Sequence, residues 1–201
     1  MKKIALSLIL AFSLAQANCS FSQPTDVDVT WKAFKTPMKL GVGGHFNTVN
    51  FKSSTPKATD LNTLLVGSTV NIDVASVDSK NKGRDVKLLN EFFKKMSGNG
   101  ISAKIISLQK EKDARKTGVA TVSVTMNGVT RNVPMKYAFQ DGKLSANGVI
   151  DLLDFKATSA LKSINTACFA LHKGKTWSDV NIGFTMTIKA SCNTPVGKGH
   201  K

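Results

Sequence analysis

The feature that most constrains this chain is an alternation of apolar and polar residues that recurs in segment after segment. Alternation with a period of two residues is typical of strands that bury one face and expose the other. Asn127-Gly128 and Asp141-Gly142 separate three consecutive segments and are typical of two-residue hairpin turns. Eight segments show the pattern, and their apolar positions begin at Val27, Leu40, Val70, Ile101, Ala120, Val129, Leu144 and Val180. We therefore expect a mainly β protein whose consecutive strands pair antiparallel.

The number of strands favours closure of the sheet. Antiparallel strands leave exposed edges unless the sheet closes, and about eight strands close around an interior that can hold one ligand. Gly41, Gly43, Gly44 and Gly148 lie inside predicted strands, where glycine permits the bends and close approaches that closure needs. The sequence favours an eight-stranded antiparallel β-barrel, and an open sheet with helices on one face is the alternative.

Two segments with helical spacing interrupt the strands. The first follows the third strand and runs from about Asp85 to Met96, and Asp85 could cap its first turn or oppose its positive end. The apolar residues of the first segment cover more than one stripe, and they are Val86, Leu88, Leu89, Phe92, Phe93 and Met96. The second segment precedes the last strand and places apolar residues every three to four positions at Leu161, Ile164, Ala167, Cys168 and Leu171.

Residues 1–17 have the pattern of a secretory signal peptide. Lys2 and Lys3 are positive, an apolar run extends from Ile4 to Leu14, and Ala15-Gln16-Ala17 is a small-x-small cleavage site. No later apolar run reaches the roughly 20 residues of a membrane-spanning helix. We expect one soluble domain over residues 18–201, located in the periplasm or secreted.

The formal net charge is +15, which becomes +13 once the two signal-peptide lysines are removed. Such a charge often indicates nucleic-acid binding. Export makes a nucleic acid an unsuitable partner, and the lysines are spread over several predicted strands instead of one helix. We expect either peripheral contact with an anionic membrane surface or a basic surface that is merely solvated.

Catalytic and metal-binding patterns are sparse. The histidines are His45, His172 and His200, and no two of them have the spacing of metal ligands on a helix. No nucleophile elbow, Cys-x-x-Cys pair or P-loop is present in the sequence. We therefore expect no enzyme activity, no metal site and no cofactor other than a bound lipid.

Two polar segments invite two interpretations each. Arg84 could hold a polar head group, since a guanidinium donates in a fixed fork to oxygen atoms, or it could form a helix-start ion pair with Asp85. The segment "HKGKTWSD", residues 172–179, could contact an anion, or it could be a solvated loop with Trp177 folded back onto the core.

The order of these segments resembles the YceI-like family of exported bacterial proteins. The resemblance extends over about residues 26–190 and is carried by "GGHF", "NIDVASVDSKNKGRDVKLLNEFF", "VSVTMNGVTRNVPMKY" and "DVNIGFTMTI". It implies a lipocalin-like barrel of eight strands with a helix, an isoprenoid or other long-chain amphipathic ligand in the apolar interior, and a homodimer. The chain departs from the common family pattern in its longer link at residues 161–179, which affects the mouth of the pocket.

The resemblance also implies that the wide apolar helix borders the pocket, and a helix that only plugs the barrel is the alternative. The residues that we expect to bind the ligand are Trp31, Phe34, Phe46, Leu88, Leu89, Phe92, Phe93, Met126, Met135, Phe155, Phe184 and Met186, with Arg84 at the mouth. The expected ligand is an isoprenoid, quinone-like or fatty-chain lipid that the protein transports, stores or sequesters. An enzyme acting on such a lipid and a secreted interaction protein that uses its basic surface are the alternatives.

The barrel also predicts a disulfide between Cys19 and Cys192. The first and last strands of a closed up-and-down barrel pair antiparallel, so the start of the first lies beside the end of the last. Cys192 follows that end closely, and the segment after Cys19 is long enough to fold back along the rim. Cys168, at helical spacing with Ile164 and Leu171, is then expected to be a buried free thiol.

Overall fold

The computed structural model describes residues 18–98, 100–111 and 116–193, and the predicted signal peptide lies outside these ranges. The strands are β1 Asn18–Ser22, β2 Thr25–Lys35, β3 Leu40–Phe46, β4 Val49–Lys52, β5 Lys57–Ala58, β6 Thr69–Ile72, β7 Val77–Asp78, β8 Ile101–Lys110, β9 Thr117–Met126, β10 Val129–Gln140, β11 Lys143–Asp151, β12 Thr176–Thr187 and β13 Ala190–Asn193. The α-helices are α1 Leu61–Leu65, α2 Lys82–Glu91, α3 Thr158–Ala167 and α4 Phe169–His172, and 3-10 turns cover Val74–Ser76 and Phe93–Lys95.

The main sheet is antiparallel and contains the ten strands β4-β6-β8-β9-β10-β11-β12-β2-β3-β7 in that order. Its ends are joined because β4 continues β3 and β7 continues β6 after short bends. At these bends, Asn47 N donates to Ser76 O over 3.0 Å, and Asp73 N donates to Thr48 O over 3.2 Å. The strand from Leu40 to Lys52 therefore pairs with β2 in its first half and with β6 in its second half, which closes the sheet.

The prediction of a mainly β, lipocalin-like antiparallel barrel is confirmed, and the number of strands needs a correction. The predicted second strand ends at Phe46, but the chain resumes as β4 at Val49. The predicted third strand includes Val74, which instead lies in a 3-10 turn. Counting each bent strand once restores eight strands around the barrel.

A small second sheet joins the two ends of the domain. It has the order β13-β1-β5, and Cys19 lies opposite Cys192 in its antiparallel register. The predicted Cys19–Cys192 disulfide is present, and Cys168 is a buried free cysteine, as predicted. The first and last barrel strands, β2 and β12, pair with each other. The disulfide links β1, which precedes β2, to β13, which follows β12.

Alternation along the strands places the core inside the barrel. In β9, Ala120, Val122, Val124 and Met126 are buried while the residues between them are more exposed. Helix α1, which packs beside β1 and β5, adds Leu64 and Leu65, and both side chains are fully buried. The barrel end beside the disulfide is therefore covered by α1 and the small sheet.

Helix α2 begins at Lys82, before the predicted start at about Asp85, and of the two roles predicted for Asp85 the structure excludes the cap and agrees with a position near the positive end of the helix. The side chain of Asn81 accepts a hydrogen bond from Arg84 N over 2.9 Å, which is the geometry of an N-cap. Asp85 lies in the first turn, and its carboxylate accepts hydrogen bonds from the backbone N–H, at 2.9 Å, and the hydroxyl of Ser79. At the other end of the helix, Glu91 accepts a hydrogen bond of 2.9 Å from Ser163, so α2 and α3 lie side by side.

Candidate functional site

The barrel wall and the helices enclose a cavity of about 530 Å³. Its wall is predominantly aliphatic and aromatic because the inward-facing residues of the strands are apolar. The strand residues in this wall include Val29, Ala33, Ile105, Val122, Ile150 and Ile182. Helix α2 contributes Leu88, and Phe92 and Phe93 follow it, so the predicted apolar cavity bordered by this helix is present.

Most of the predicted ligand-binding residues surround this cavity. The eleven that line it are Trp31, Phe34, Phe46, Arg84, Leu88, Phe92, Phe93, Met126, Met135, Phe184 and Met186. They come from β2, β3, α2 and its following turn, β9, β10 and β12. Contact of these residues with a lipid stays a prediction.

Phe155 and Leu89 lie elsewhere. Phe155 is only 1% exposed and packs in the main core, where its carbonyl accepts a 2.9 Å hydrogen bond from Asn127 Nδ2. Leu89 is half-buried but does not line the cavity. Successive residues of an α-helix point about 100° apart, so the same helix that directs Leu88 inward turns Leu89 away.

Most of the lining residues were not in the predicted set, and five of them lie near one end of the cavity. Lys35 from β2, Lys87 from α2, Leu171 and His172 from α4, and Trp177 from β12 all line the cavity. Leu171 is 65% exposed and also borders the cavity, so it marks an opening. We use "the mouth" for the part of the cavity bordered by Lys35, Arg84, Lys87, Leu171 and His172. The interpretation of "HKGKTWSD" as an anion contact predicted part of this region. Nothing in the sequence distinguished Lys35 and Lys87 from the other lysines.

Arg84 is held at the mouth by Ser79. Its Nε donates to Ser79 Oγ over 2.7 Å, and its Nη2 donates to Ser79 O over 2.6 Å. Asp85 also bonds Ser79, so the two charged side chains meet at one serine and do not form the direct ion pair that was the alternative interpretation. This arrangement fixes a positive charge in the wall of the cavity.

Trp31 places an unused hydrogen-bond donor in the buried part of the site. Its indole Nε1 is buried and has no acceptor among the residues that the structure describes. The ring lies across β3 at Gly44, where an added Cβ would be 2.7 Å from Trp31 Cζ2 and 2.5 Å from Asp78 O. A buried N–H without an acceptor is unfavourable, so an oxygen atom at this position would stabilise the site.

Trp177 is folded back onto the barrel, and it lines the cavity as well. Its Nε1 donates to Thr36 O over 2.8 Å. The Lys39 and Lys175 ammonium groups lie 5.0 and 4.7 Å from the centre of the ring system, which is cation–π distance. Lys39 also pairs with Asp179 at 2.8 Å. Trp177 therefore packs on the barrel, as one interpretation predicted, but residues 176–179 belong to β12 and not to a loop, and His172 on α4 faces the mouth.

The hydrogen bonds around His172 determine which ring nitrogen carries the proton when the imidazole is neutral. Asn165 Nδ2 donates to Gly174 O over 3.3 Å, which leaves Asn165 Oδ1 to accept from the Thr176 hydroxyl over 2.8 Å. Thr176 Oγ1 then accepts from His172 Nδ1–H over 2.7 Å. Burial lowers the pKa of His172, and the positive charges of Lys35 and Lys87 lower it further.

The lowered pKa of His172 predicts a loss of stability in mild acid. The unfolded chain binds a proton near the ordinary pKa of about 6.5, whereas the folded protein binds it only at lower pH. The free energy of unfolding should therefore fall as the pH drops through about 6.5, and it should stop falling below the folded pKa. In His172→Gln, urea unfolding at about pH 7.5 and about pH 5.5 should show a smaller difference than in the wild type. Equal differences in the two proteins would contradict the assignment.

Two further findings apply to the described part of the chain. In it, no three His, Cys, Asp or Glu side chains lie together in a way that could hold a metal ion. None of its helices is both long enough and apolar enough to cross a membrane.

The comparisons with known proteins agree with this architecture. The model of the YceI-like domain matches residues 20–192, and no protein with a curated description matches the chain. A polyisoprenoid binding domain from Saccharophagus degradans, implicated in plant cell wall breakdown, aligns with a TM-score of 0.59 at 12% identity over 88% of this chain and 100% of its own. Burkholderia cenocepacia BcnA aligns with a TM-score of 0.57 at 16% identity over 81% of this chain and 96% of its own. The Campylobacter jejuni YCEI protein aligns with a TM-score of 0.50 at 20% identity over 96% of this chain and 99% of its own.

The three solved structures share the fold at low identity, and the family model covers the whole barrel from β1 to β13. Together with the segments that first indicated the resemblance, this match establishes that the chain belongs to the YceI-like family.

Proposed function

We propose that this protein binds a long-chain amphipathic lipid, such as an isoprenoid, quinone-like or fatty-chain molecule, in the barrel cavity. The observation that carries the proposal is the apolar cavity of about 530 Å³, which extends from the barrel core to the exposed side chain of Leu171. The similarity to a polyisoprenoid binding domain supports an isoprenoid among these ligands.

Burial of the hydrocarbon tail would supply the affinity. Apolar surface removed from water contributes roughly 25 cal/mol per Å², so a tail that buries a few hundred Å² gains several kcal/mol. Met126, Met135 and Met186 line the cavity, and their flexible side chains can adapt to a long chain. No covalent chemistry is needed for such binding.

The polar groups favour a ligand that carries oxygen atoms. Arg84, Lys35 and Lys87 place positive charge at the mouth, and the Trp31 N–H offers a donor that no described residue uses. A purely hydrocarbon ligand would leave the buried Trp31 N–H without an acceptor and would make no use of the positive charges at the mouth. An amphipathic lipid with an oxygen-bearing head or ring suits them better.

We further propose that the protein carries or sequesters its ligand without converting it. Nucleophilic or acid–base catalysis requires a reactive group beside a partner that activates it. Among the lining residues, His172 uses its Nδ1–H to bond Thr176, Cys168 is buried at the end of α3, and no hydrogen bond joins their side chains. An enzyme acting on the same lipid is the competing function.

Export is proposed on two observations. Residues 1–17 have the pattern of a signal peptide, and the Cys19–Cys192 disulfide is typical of an oxidising compartment. These observations support a periplasmic or secreted location. The homodimer that the family resemblance implies stays a prediction.

Organic extraction of the natively purified protein, followed by mass spectrometry, tests the proposed function. We expect about one long-chain amphiphile per barrel, because one cavity of this size holds one folded tail. An extract without lipid, together with no uptake of added isoprenoid or fatty acid, would contradict lipid binding. Recovery of a chemically altered lipid after incubation would favour the enzyme instead.

A further inference from the structure

We propose that the mouth end of the barrel docks onto an anionic lipid bilayer, so that the ligand tail passes directly between bilayer and cavity. This inference rests on the proposed lipid-binding function. It assigns a partner to a surface that binding of a lipid inside the barrel does not require. The observations behind it are the exposed apolar side chains, their position beside the mouth, and the charges around them.

Four large apolar side chains at this end are exposed, and we refer to them as the docking patch: Met38, Leu40, Phe169 and Leu171. Their exposed fractions are 90%, 56%, 62% and 65%. Met38 and Leu40 come from the β2–β3 turn and the start of β3, while Phe169 and Leu171 belong to α4. Exposed apolar clusters of this kind mark interaction sites, since leaving them in water is unfavourable.

Backbone hydrogen bonds hold the two halves of the docking patch next to each other. Thr36 N donates to Lys175 O over 2.9 Å, which joins the β2–β3 turn to the segment after α4. Gly174 N donates to Phe169 O over 2.9 Å, which folds α4 back onto the same segment. The patch is thus a composite of two chain segments that are far apart in sequence.

The docking patch is continuous with the cavity. Leu171 belongs to the patch and also lines the cavity, and Phe34 and Lys35, which precede the β2–β3 turn, line it too. A lipid tail that leaves the cavity beside Leu171 therefore emerges at the patch. If the patch inserts into a bilayer, the tail moves between two apolar environments and its transfer avoids exposure to water.

The charges around the docking patch favour an anionic surface. Lys87, Lys173 and Lys175 are exposed at this end, and Lys35 and Arg84 lie at the mouth. The nearby Asp179 is paired with Lys39, and Asp85 is bonded to Ser79. Apolar side chains surrounded by lysines are the combination that binds the interface of anionic membranes.

A second copy of the chain is a less suitable occupant. In a two-fold dimer the same surface of each copy faces the other. Such a dimer would bring Lys87, Lys173 and Lys175 of one copy close to the same lysines of its partner. A bilayer with anionic head groups compensates these charges instead.

Vesicle sedimentation tests the proposal. The full mature protein should sediment with vesicles of phosphatidylcholine and phosphatidylglycerol, and much less with phosphatidylcholine alone. Met38→Ser/Phe169→Ser and Lys173→Gln/Lys175→Gln should each weaken binding at least about fivefold. None of these four residues lines the cavity, so retained lipid should be unchanged. Binding should also weaken as salt rises from about 0.05 M to about 0.5 M.

Matched variants elsewhere on the barrel provide the controls. Ile106 on β8 and Val149 on β11 are 42% and 57% exposed and do not line the cavity, so Ile106→Ser/Val149→Ser also removes two exposed apolar side chains. Lys136 and Lys143 are exposed on β10 and β11, so Lys136→Gln/Lys143→Gln removes the same charge. Equal loss of vesicle binding in the patch and control variants would overturn the docking surface.

The outcomes separate this proposal from the proposed function. Retained lipid without vesicle binding would overturn docking alone, and patch-dependent vesicle binding by a protein that neither retains nor takes up lipid would overturn lipid binding alone. A dimer in light scattering that Met38→Ser/Phe169→Ser converts to a monomer would identify the patch as a contact between copies, and it would overturn bilayer docking.

Discussion

Replacing Ala103 with tryptophan is expected to reduce the lipid retained by the purified protein at least about tenfold. Ala103 lines the cavity on β8, and its partners in the register, Val70 on β6 and Val124 on β9, line the cavity too. An indole at this position would fill space that the tail needs. Displacing roughly 60 Å² of buried tail costs about 1.5 kcal/mol, which is about a tenfold loss.

Ala138→Trp is the matched control. Ala138 lies on β10 between Thr117 and Ser145, and it does not line the cavity. The comparison measures retained lipid by mass spectrometry and folding by thermal unfolding. Unchanged lipid in a folded Ala103→Trp protein would show that the ligand does not occupy this part of the barrel.

A carboxylate introduced where helix α2 borders the cavity tests whether the ligand contacts this helix. Phe93 lines the cavity and packs edge-on against Phe46 and Phe92, with ring centres 5.9 and 5.2 Å apart. Phe93→Asp should abolish lipid retention because a carboxylate in an apolar cavity is costly. Lys94→Asp should retain lipid, since Lys94 lies outside the cavity wall and its ammonium bonds Asn90. If Phe93→Asp and Lys94→Asp both retained as much lipid as the wild type, this helix would plug the barrel without contacting the ligand.

Removing the Cys19–Cys192 disulfide is expected to lower the free energy of unfolding by about 5 kcal/mol. The two cysteines are 173 residues apart in sequence, and a cross-link over so long a loop restricts the unfolded chain strongly. The bond also fastens β1, whose Phe21 packs edge-on against Phe139 with ring centres 6.1 Å apart. Urea unfolding of Cys19→Ser/Cys192→Ser measures the effect.

Cys168→Ala is the control for the loss of a cysteine, because it leaves the disulfide intact. It should change the free energy of unfolding by only about 1 kcal/mol, since the two side chains are similar in size. Thiol counting of the denatured, unreduced wild-type protein should find one free thiol, at Cys168. Three free thiols, or unchanged stability in the double serine variant, would contradict the stabilising role of the bond.

Local patterns were sufficient for the strands and for the faces that they bury. Val122 and Val124 alternate with polar residues in the sequence, and they alternate between buried and less buried positions in β9. Period-two patterning records the direction of each side chain because successive residues of a strand point to opposite faces. No sequence pattern predicts the bends at Asn47-Thr48 and at Val74, because these bends depend on hydrogen bonds between two distant segments.

The sequence by itself determined the barrel class, the disulfide partners and eleven of the residues that line the cavity. The barrel class follows from periodicity, the disulfide from the pairing of the first and last strands, and the lining residues from the resemblance to the YceI-like family. Only the tertiary structure decided that Leu88 faces the cavity while Leu89 does not, and that Phe155 belongs to the solid core. It also brought Lys35, Lys87 and Leu171 together at the mouth from segments that are distant in sequence. Periodicity specifies on which face of its own strand or helix a side chain lies. Whether that face borders the cavity or the solid core depends on how the elements pack.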